Sequence, residues 1–141
     1  MRVFQKLFLI AICSACGCVA AAQSRQEPME IGGSRGVDGS YCESAKADFD
    51  LIAQVANERK SNVIIIARLG SGERPKSNSI RLSQLRDWLQ IVRAYSPDRV
   101  ITAKGDRVSG LGRVEIYVSG KQFIIYRMRR NRDFFTGNFG C

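Results

Sequence analysis

Asn62-Val-Ile-Ile-Ile-Ala-Arg-Leu69, then Gly70-Ser-Gly-Glu-Arg-Pro-Lys-Ser-Asn78, then Ser79-Ile-Arg-Leu-Ser-Gln-Leu-Arg-Asp-Trp-Leu89 is the stretch that decides the fold. The unbroken β-branched run Val63 to Ile66 belongs to a strand covered on both faces or lying centrally in a sheet. Gly70 and Gly72 supply unusual backbone angles and Pro75 a turn, so the middle segment reads as a polar loop. Beyond it, Leu82, Leu85, Leu89 and Val92 fall on one helical stripe, widened by Trp88 and Ile91, while Arg81, Arg86, Gln90 and Arg93 lie off it. Ser79 or Asn78 is placed to cap this helix, which runs to about Tyr95, and Ser96-Pro97 stops it.

Working outward on the N-terminal side, Ala45, Phe49, Ile52, Val55 and Ala56 recur at helical spacing between Ser44 and Glu58, with Lys46, Asp50, Gln54 and Asn57 opposite. Ser44 is the expected N-cap, and Arg59-Lys60 complements the dipole at the far end. On the C-terminal side, Arg99 to Lys104 reads as a short strand, which makes strand–helix–strand a right-handed parallel crossover. Gly105 to Gly112 is a glycine-rich loop. Arg113 to Val118 alternates, with Val114, Ile116 and Val118 inward, and Ser119-Gly120 is a hairpin signal before Lys121 to Met128. The predicted fold is therefore α/β (α+β): a two-layer sandwich, β-α-β-α-β-β-like, with two helices on one face of a mixed sheet that ends in a C-terminal hairpin.

The first 22 residues have a basic start (Arg2, Lys6), an apolar run from Leu7 to Val19 and Ala20-Ala21-Ala22, the pattern of a secretory signal peptide. The run is shorter than the ~20 residues of a spanning helix, so no transmembrane helix is expected after its removal. Lipid attachment at Cys16 or Cys18 is the rival reading; it calls for an aliphatic residue three places earlier, where Cys13 and Ala15 stand. Residues 23–40, with Pro28 and four glycines, read as a flexible leader in which Ile31 and Val37 pair briefly at a sheet edge, and the folded domain spans 41–141.

Export leaves two cysteines, Cys42 and Cys141, in an oxidising compartment, and their disulfide is the default expectation. Two free thiols, or pairing with another protein, are the alternatives. The chain has no histidine, which excludes a histidine-based triad and a His-ligated metal site, and its formal charge is +9. No cofactor or metal is expected. No Gly-x-x-x-x-Gly-Lys-Ser/Thr occurs, and Glu73, Asp87, Asp98, Asp106 and Glu115 are scattered without the fixed spacing of a paired-carboxylate hydrolase.

Two sets of residues carry the binding chemistry. The first is the loop beyond the carboxyl end of the central strand, where Ser71, Ser77 and Asn78, with Arg68, Arg74 and Lys76, offer a cradle for an anion or carboxylate, with an ordinary solvated polar loop as the alternative reading. The second is the basic cluster Arg127, Arg129, Arg130 and Arg132. Interleaved Tyr126, Phe134 and Phe135 give it the look of a base-stacking surface. An exported chain rarely meets nucleic acid, however, so no nucleic-acid partner is expected; edge protection or contact with an acidic polymer accounts for the charge.

The order helix, apolar strand, loop, Asn78-x-x-x-Leu82-Ser83-x-x-Arg86, Pro97-Asp98-Arg99-Val100 and Arg113-Val114-Glu115-Ile116 resembles the OmpA-like C-terminal domain over roughly residues 41–118. That resemblance implies a two-layer α/β sandwich that holds bacterial peptidoglycan non-covalently, gripping the diaminopimelate of the stem peptide. It implies Arg86 as the carboxylate contact, with Ser71, Glu73, Arg74 and Asn78 lining the site, in the periplasm or cell envelope. The chain departs from the family where an aspartate should hold the ligand's ammonium group. Arg68-Leu69-Gly70-Ser71 stands there, and Glu73 is the nearest acid. The alternative expectation is a scaffold that binds another envelope protein through its basic C-terminal hairpin.

Overall fold

The computed structural model describes residues 29–31, 40–137 and 139–141. The signal-peptide segment, most of the leader and Val37 lie outside them. Strand β1 is Met29–Ile31, helix α1 Ser40–Glu58, β2 Val63–Arg68, α2 Lys76–Asp87, β3 Val100–Lys104, β4 Gly112–Val118 and β5 Lys121–Met128. They form one mixed sheet in the order β1-β5-β4-β2-β3, with β2–β3 and β1–β5 parallel and the other pairs antiparallel. The two-layer α+β architecture expected from the sequence is present. β1 supplies a three-residue edge strand, containing Ile31, within the stretch read as leader.

The ladder explains the burial. Val63, Ile65 and Ala67 stand opposite Val118, Ile116 and Val114, and Ile116 and Val114 stand opposite Ile124 and Tyr126. All eight are buried on the helical face. The alternate residues Ile64, Ile66 and Arg68 belong to the other face, where no helix of the described residues lies and their burial is partial. β2 is thus central, as its β-branched run required, but only one of its faces is fully covered.

Helix α1 begins at Ser40, so Ser44 sits in the second turn and is not its cap. Ala45, Phe49, Ile52, Ala53 and Ala56 are buried as the periodicity demands. The helix ends without glycine. Lys60 takes a φ of 47°, and the Ser61 amide reaches back to the Ala56 carbonyl at 3.0 Å, satisfying an end carbonyl in the left-handed C-cap manner.

Helix α2 departs from expectation at both ends. It starts at Lys76 immediately after Pro75, whose missing N–H costs nothing at a helix start, and no side chain caps it. Asn78 instead lies in the first turn, buried, and donates from Nδ2 to the Ala67 carbonyl at 2.8 Å, tying helix to strand. The regular helix stops at Asp87 and continues as a π-helical turn over Trp88–Val92. The wider turn keeps Trp88 and Leu89 in the core but rotates Ile91 and Val92 outward, where they are 72% and 40% exposed. Their expected place on the apolar stripe is thereby overturned.

Within residues 129–141, Phe134 and Phe135 join the core. Phe49 meets Tyr126, Phe134 and Phe135 edge-on at centroid distances of 5.5, 5.2 and 5.9 Å, and Trp88 stacks on Phe135 at 5.3 Å. Tyr126, Phe134 and Phe135 are all buried, so they cannot stack nucleobases. Cys141 closes on Cys42 in a disulfide, with the Cα atoms 5.6 Å apart. Among the described residues, no helix is long and apolar enough to cross a membrane.

Candidate functional site

The carboxyl ends of β2, β3 and β5 and the start of β4 lie together, because Ala67 pairs with Lys104, Arg68 with Arg113 and Arg113 with Arg127. Three loops, 69–75, 105–111 and 129–133, close this end. Gly70 and Gly112 allow the first two to touch. A Cβ on Gly70 would lie 2.3 Å from the Gly112 nitrogen, and one on Gly112 would lie 2.1 Å from a Glu73 carboxylate oxygen.

Glu73 is the peg that joins the loops. Its Oε2 accepts from Arg81 Nη1 at 3.0 Å and from the Gly70 amide at 2.7 Å. Its Oε1 accepts from Arg81 Nη2 at 2.5 Å and from the Asn131 amide at 3.1 Å. Burial alone would raise the Glu73 carboxyl, but Arg81 and the two amides outweigh it and hold the group below the usual carboxylate range. Arg81 is 0% exposed and also donates to the Arg132 and Arg129 carbonyls, so helix, loop and 129–132 turn share one guanidinium. Arg107 adds a second brace, donating to the carbonyls of Gly70 and Glu73.

A parallel arrangement stands on the open face of the sheet. Glu115 is buried beneath Arg68, Arg113 and Tyr117, accepting from Arg68 Nε at 2.9 Å, Arg113 Nε at 2.6 Å and the Tyr117 hydroxyl at 3.2 Å. Here too burial pushes the carboxyl up and the two guanidinium groups, with Tyr117, more than reverse it. The Tyr117 hydroxyl is raised in turn, by burial first and then by the Glu115 charge.

The structure places the five residues of the expected diaminopimelate site as follows. Ser71 is exposed, but its amide donates to the Gly110 carbonyl at 2.8 Å and its Oγ accepts from the Gly110 amide at 3.1 Å. Arg74 is exposed, with its backbone amide on Asn131 Oδ1 at 2.9 Å. Asn78 is a buried tie, and Glu73 is enclosed by four donors. Arg86 is exposed near the other end of α2, about 15 Å along the axis from Lys76 at 1.5 Å per residue, where it pairs with Asp87 at 3.0 Å. Glu73 and Arg86 therefore do not form an acid–base pair. The partner of Glu73 is Arg81, which sequence reasoning put on the polar side. Its spacing from Asn78 and Leu85 carried the signal for burial, and its charge hid it.

What this end presents to solvent is positive. Residues 40–141 carry 18 Lys and Arg against 10 Asp and Glu, an excess of eight. Eleven of those basic residues and only four of the acids (Glu73, Asp106, Glu115 and Asp133) belong to this end, an excess of seven. Two of the four acids are the enclosed Glu73 and Glu115. Arg74, Lys76, Lys104, Arg107, Arg127, Arg129, Arg130 and Arg132 are all exposed. Asp133 is half-buried without a hydrogen-bond donor on Oδ1; burial raises its carboxyl, against the pull of Arg81 and Arg74. The one grouping of potential metal-ligand side chains among the described residues, Cys42–Glu43–Cys141, has both sulfurs in the disulfide.

Comparison with protein-family models, curated proteins and solved structures finds no match to this chain.

Proposed function

We propose that this chain is an exported, non-enzymatic, OmpA-like module that associates non-covalently with the peptidoglycan of the cell envelope through the basic end of its sheet. The observation that carries the reading is the concentration of eight exposed basic side chains where three strands terminate, with the neighbouring acids Glu73 and Glu115 already neutralised inside. A polymer bearing many carboxylates is the ligand class that such a surface attracts, through summed long-range charge more than through any single contact. The acid–base clamp that the family resemblance implies has no available acid here, so Arg129, Arg130, Arg132 and Arg74 take the place of the pair Glu73–Arg86.

Co-sedimentation with purified peptidoglycan tests this. Retention should be substantial at low salt and decline as salt screens the charges. Arg129→Ala/Arg130→Ala/Arg132→Ala should abolish most of it, and Arg86→Ala should leave it nearly intact. Absence of retention at low salt removes the function. Retention that survives the triple substitution but not Arg86→Ala restores the expected site.

A second reading is a scaffold that binds another envelope protein through the same hairpin. The enclosure of Glu73, which leaves the family's small-molecule clamp incomplete, favours it. Crosslinking from positions 127–132 that captures a protein, with no peptidoglycan retention, is its signature.

A further inference from the structure

Arg68, Arg113 and Arg127 stand directly opposite one another on β2, β4 and β5, in one row across the open face of the sheet. Like charges in that relation repel, and an anion relieves them. Glu115, next along β4 on the same face, does part of this. One of its oxygens accepts from Arg68 Nε at 2.9 Å and from Arg113 Nε at 2.6 Å, and the other accepts from the Tyr117 hydroxyl. Because both arginines direct Nε at a single oxygen, their forks lie side by side. The terminal nitrogens of both have no acceptor among the described residues.

The pair is held in place. Glu115 is buried, and a Cβ on Gly105 would lie 2.6 Å from Arg68 Nη1, so the guanidinium rests where a larger residue at 105 would stand. The Arg68 and Arg113 side chains are 25% and 43% exposed, shielded on one side and open to solvent on the other. Two positive charges meet one enclosed negative charge, which leaves the pair one charge in excess.

We propose that Arg68 and Arg113 form a binding site for a phosphate group on the open face of the sheet, with Glu115 as the positioning residue that aligns their two forks. The geometry distinguishes among anions. A carboxylate offers two oxygens in one plane and matches a single fork. A phosphate presents its oxygens tetrahedrally, accepts from two forks at once and, as a monoester, carries about −1.5 to −2 charge at pH 7. Ile66 and Ile125 stand opposite Glu115, and Ala103 opposite Ile66, so the group that carries the phosphate rests on apolar surface. A soluble ester and a lipid headgroup share this chemistry. The site is separate from Arg74, Arg129, Arg130 and Arg132, to which peptidoglycan is assigned, and neither reading depends on the other.

Titration of the purified protein with inorganic phosphate, followed by amide chemical shifts, tests the site. Arg68, Gly105 and Arg113 should shift first and saturate, and acetate at equal ionic strength should bind about tenfold more weakly or worse. Arg113→Lys keeps the charge and removes the fork, so affinity should fall by about tenfold. Arg68→Gln/Arg113→Gln/Glu115→Gln removes the three charges together and should abolish saturation. Circular dichroism checks that both variants fold, and the shift map of the parent decides the matter if either does not. Vesicles of phosphatidylcholine with and without phosphatidic acid separate the sources. Co-sedimentation that requires both phosphatidic acid and Arg113 assigns a lipid headgroup; its absence, with phosphate saturation intact, assigns a soluble phosphate. Shifts confined to Arg129–Arg132, acetate bound as tightly as phosphate, or an affinity unchanged in folded Arg113→Lys overturns the proposal. Arg129→Ala/Arg130→Ala/Arg132→Ala should leave phosphate binding in place, so failure here and failure of peptidoglycan retention are read separately.

Discussion

Arg81 and Glu73 meet with neither side chain reaching solvent, and each satisfies groups on segments that are distant in sequence. Removing one partner leaves a buried charge uncompensated, a loss typically of about 3–5 kcal/mol. Arg81→Met should therefore lower the free energy of unfolding by about that amount in urea titration. Glu73→Gln/Arg81→Met should cost less than the two single changes added together, by about 1–3 kcal/mol, because the groups act as one unit. The pair also sets an acid limit. Glu73 and Glu115 are both held below ordinary carboxyl values when folded, so at mildly acidic pH the unfolded chain binds protons that the folded chain refuses. Their contribution is complete above the unfolded value of about 4.3 and disappears as pH falls through the lower folded values. Stability measured against pH should decline on acidification below about pH 5, with a shallower slope in Glu73→Gln. None of this was legible in the residue types. A helix periodicity that assigns faces by polarity must send an arginine outward, and only the fold reveals a glutamate waiting within.

At the level of elements, the strands were the more legible parts, because alternation and β-branching report directly on which residues a sheet buries. β2, β4 and β5 lie within a residue or so of their predicted bounds. Helix α2 was harder. Its start is set by Pro75 and by the Asn78 tie to Ala67, and its end by a π-helical turn, both consequences of docking onto the sheet. The hairpin holds a local flaw that substitution can relieve. Ser119 and Gly120 both have positive φ, 55° and 73°, and serine tolerates that region poorly where asparagine does not. Ser119→Asn should raise stability by about 0.5 kcal/mol, seen as a small upward shift in the thermal midpoint. The opposite experiment sits at the loop contact. Gly112→Ala drives a methyl into the Glu73 carboxylate and should destabilise by about 1–3 kcal/mol or prevent folding.

Across the whole molecule, the pairing of β2 with β4 and the packing of residues 129–141 joined the parts in ways no local pattern could announce. Strand neighbours are chosen by total burial, and the aromatics Phe134 and Phe135 read equally well as a surface patch until Phe49 and Trp88 are placed against them. Their burial rules out base stacking by these rings and leaves the arginines before them as the exposed remainder. The disulfide was legible, because cysteine arithmetic left two candidates. It spans 99 residues of sequence, and Cys42→Ala/Cys141→Ala should lose about 2–5 kcal/mol, with the parent protein's thermal midpoint falling to match on reduction. The same packing also imposes an order of events on biosynthesis. Arg81 takes its carbonyl acceptors from Arg129 and Arg132, Phe49 its ring partners from Phe134 and Phe135, and Cys42 its bond from Cys141. Everything up to Met128 can be made before any of these exist. A chain folded only as far as Met128 therefore has a gap in its core and an Arg81 that meets Glu73 without its main-chain acceptors, and residues 129–135 complete both.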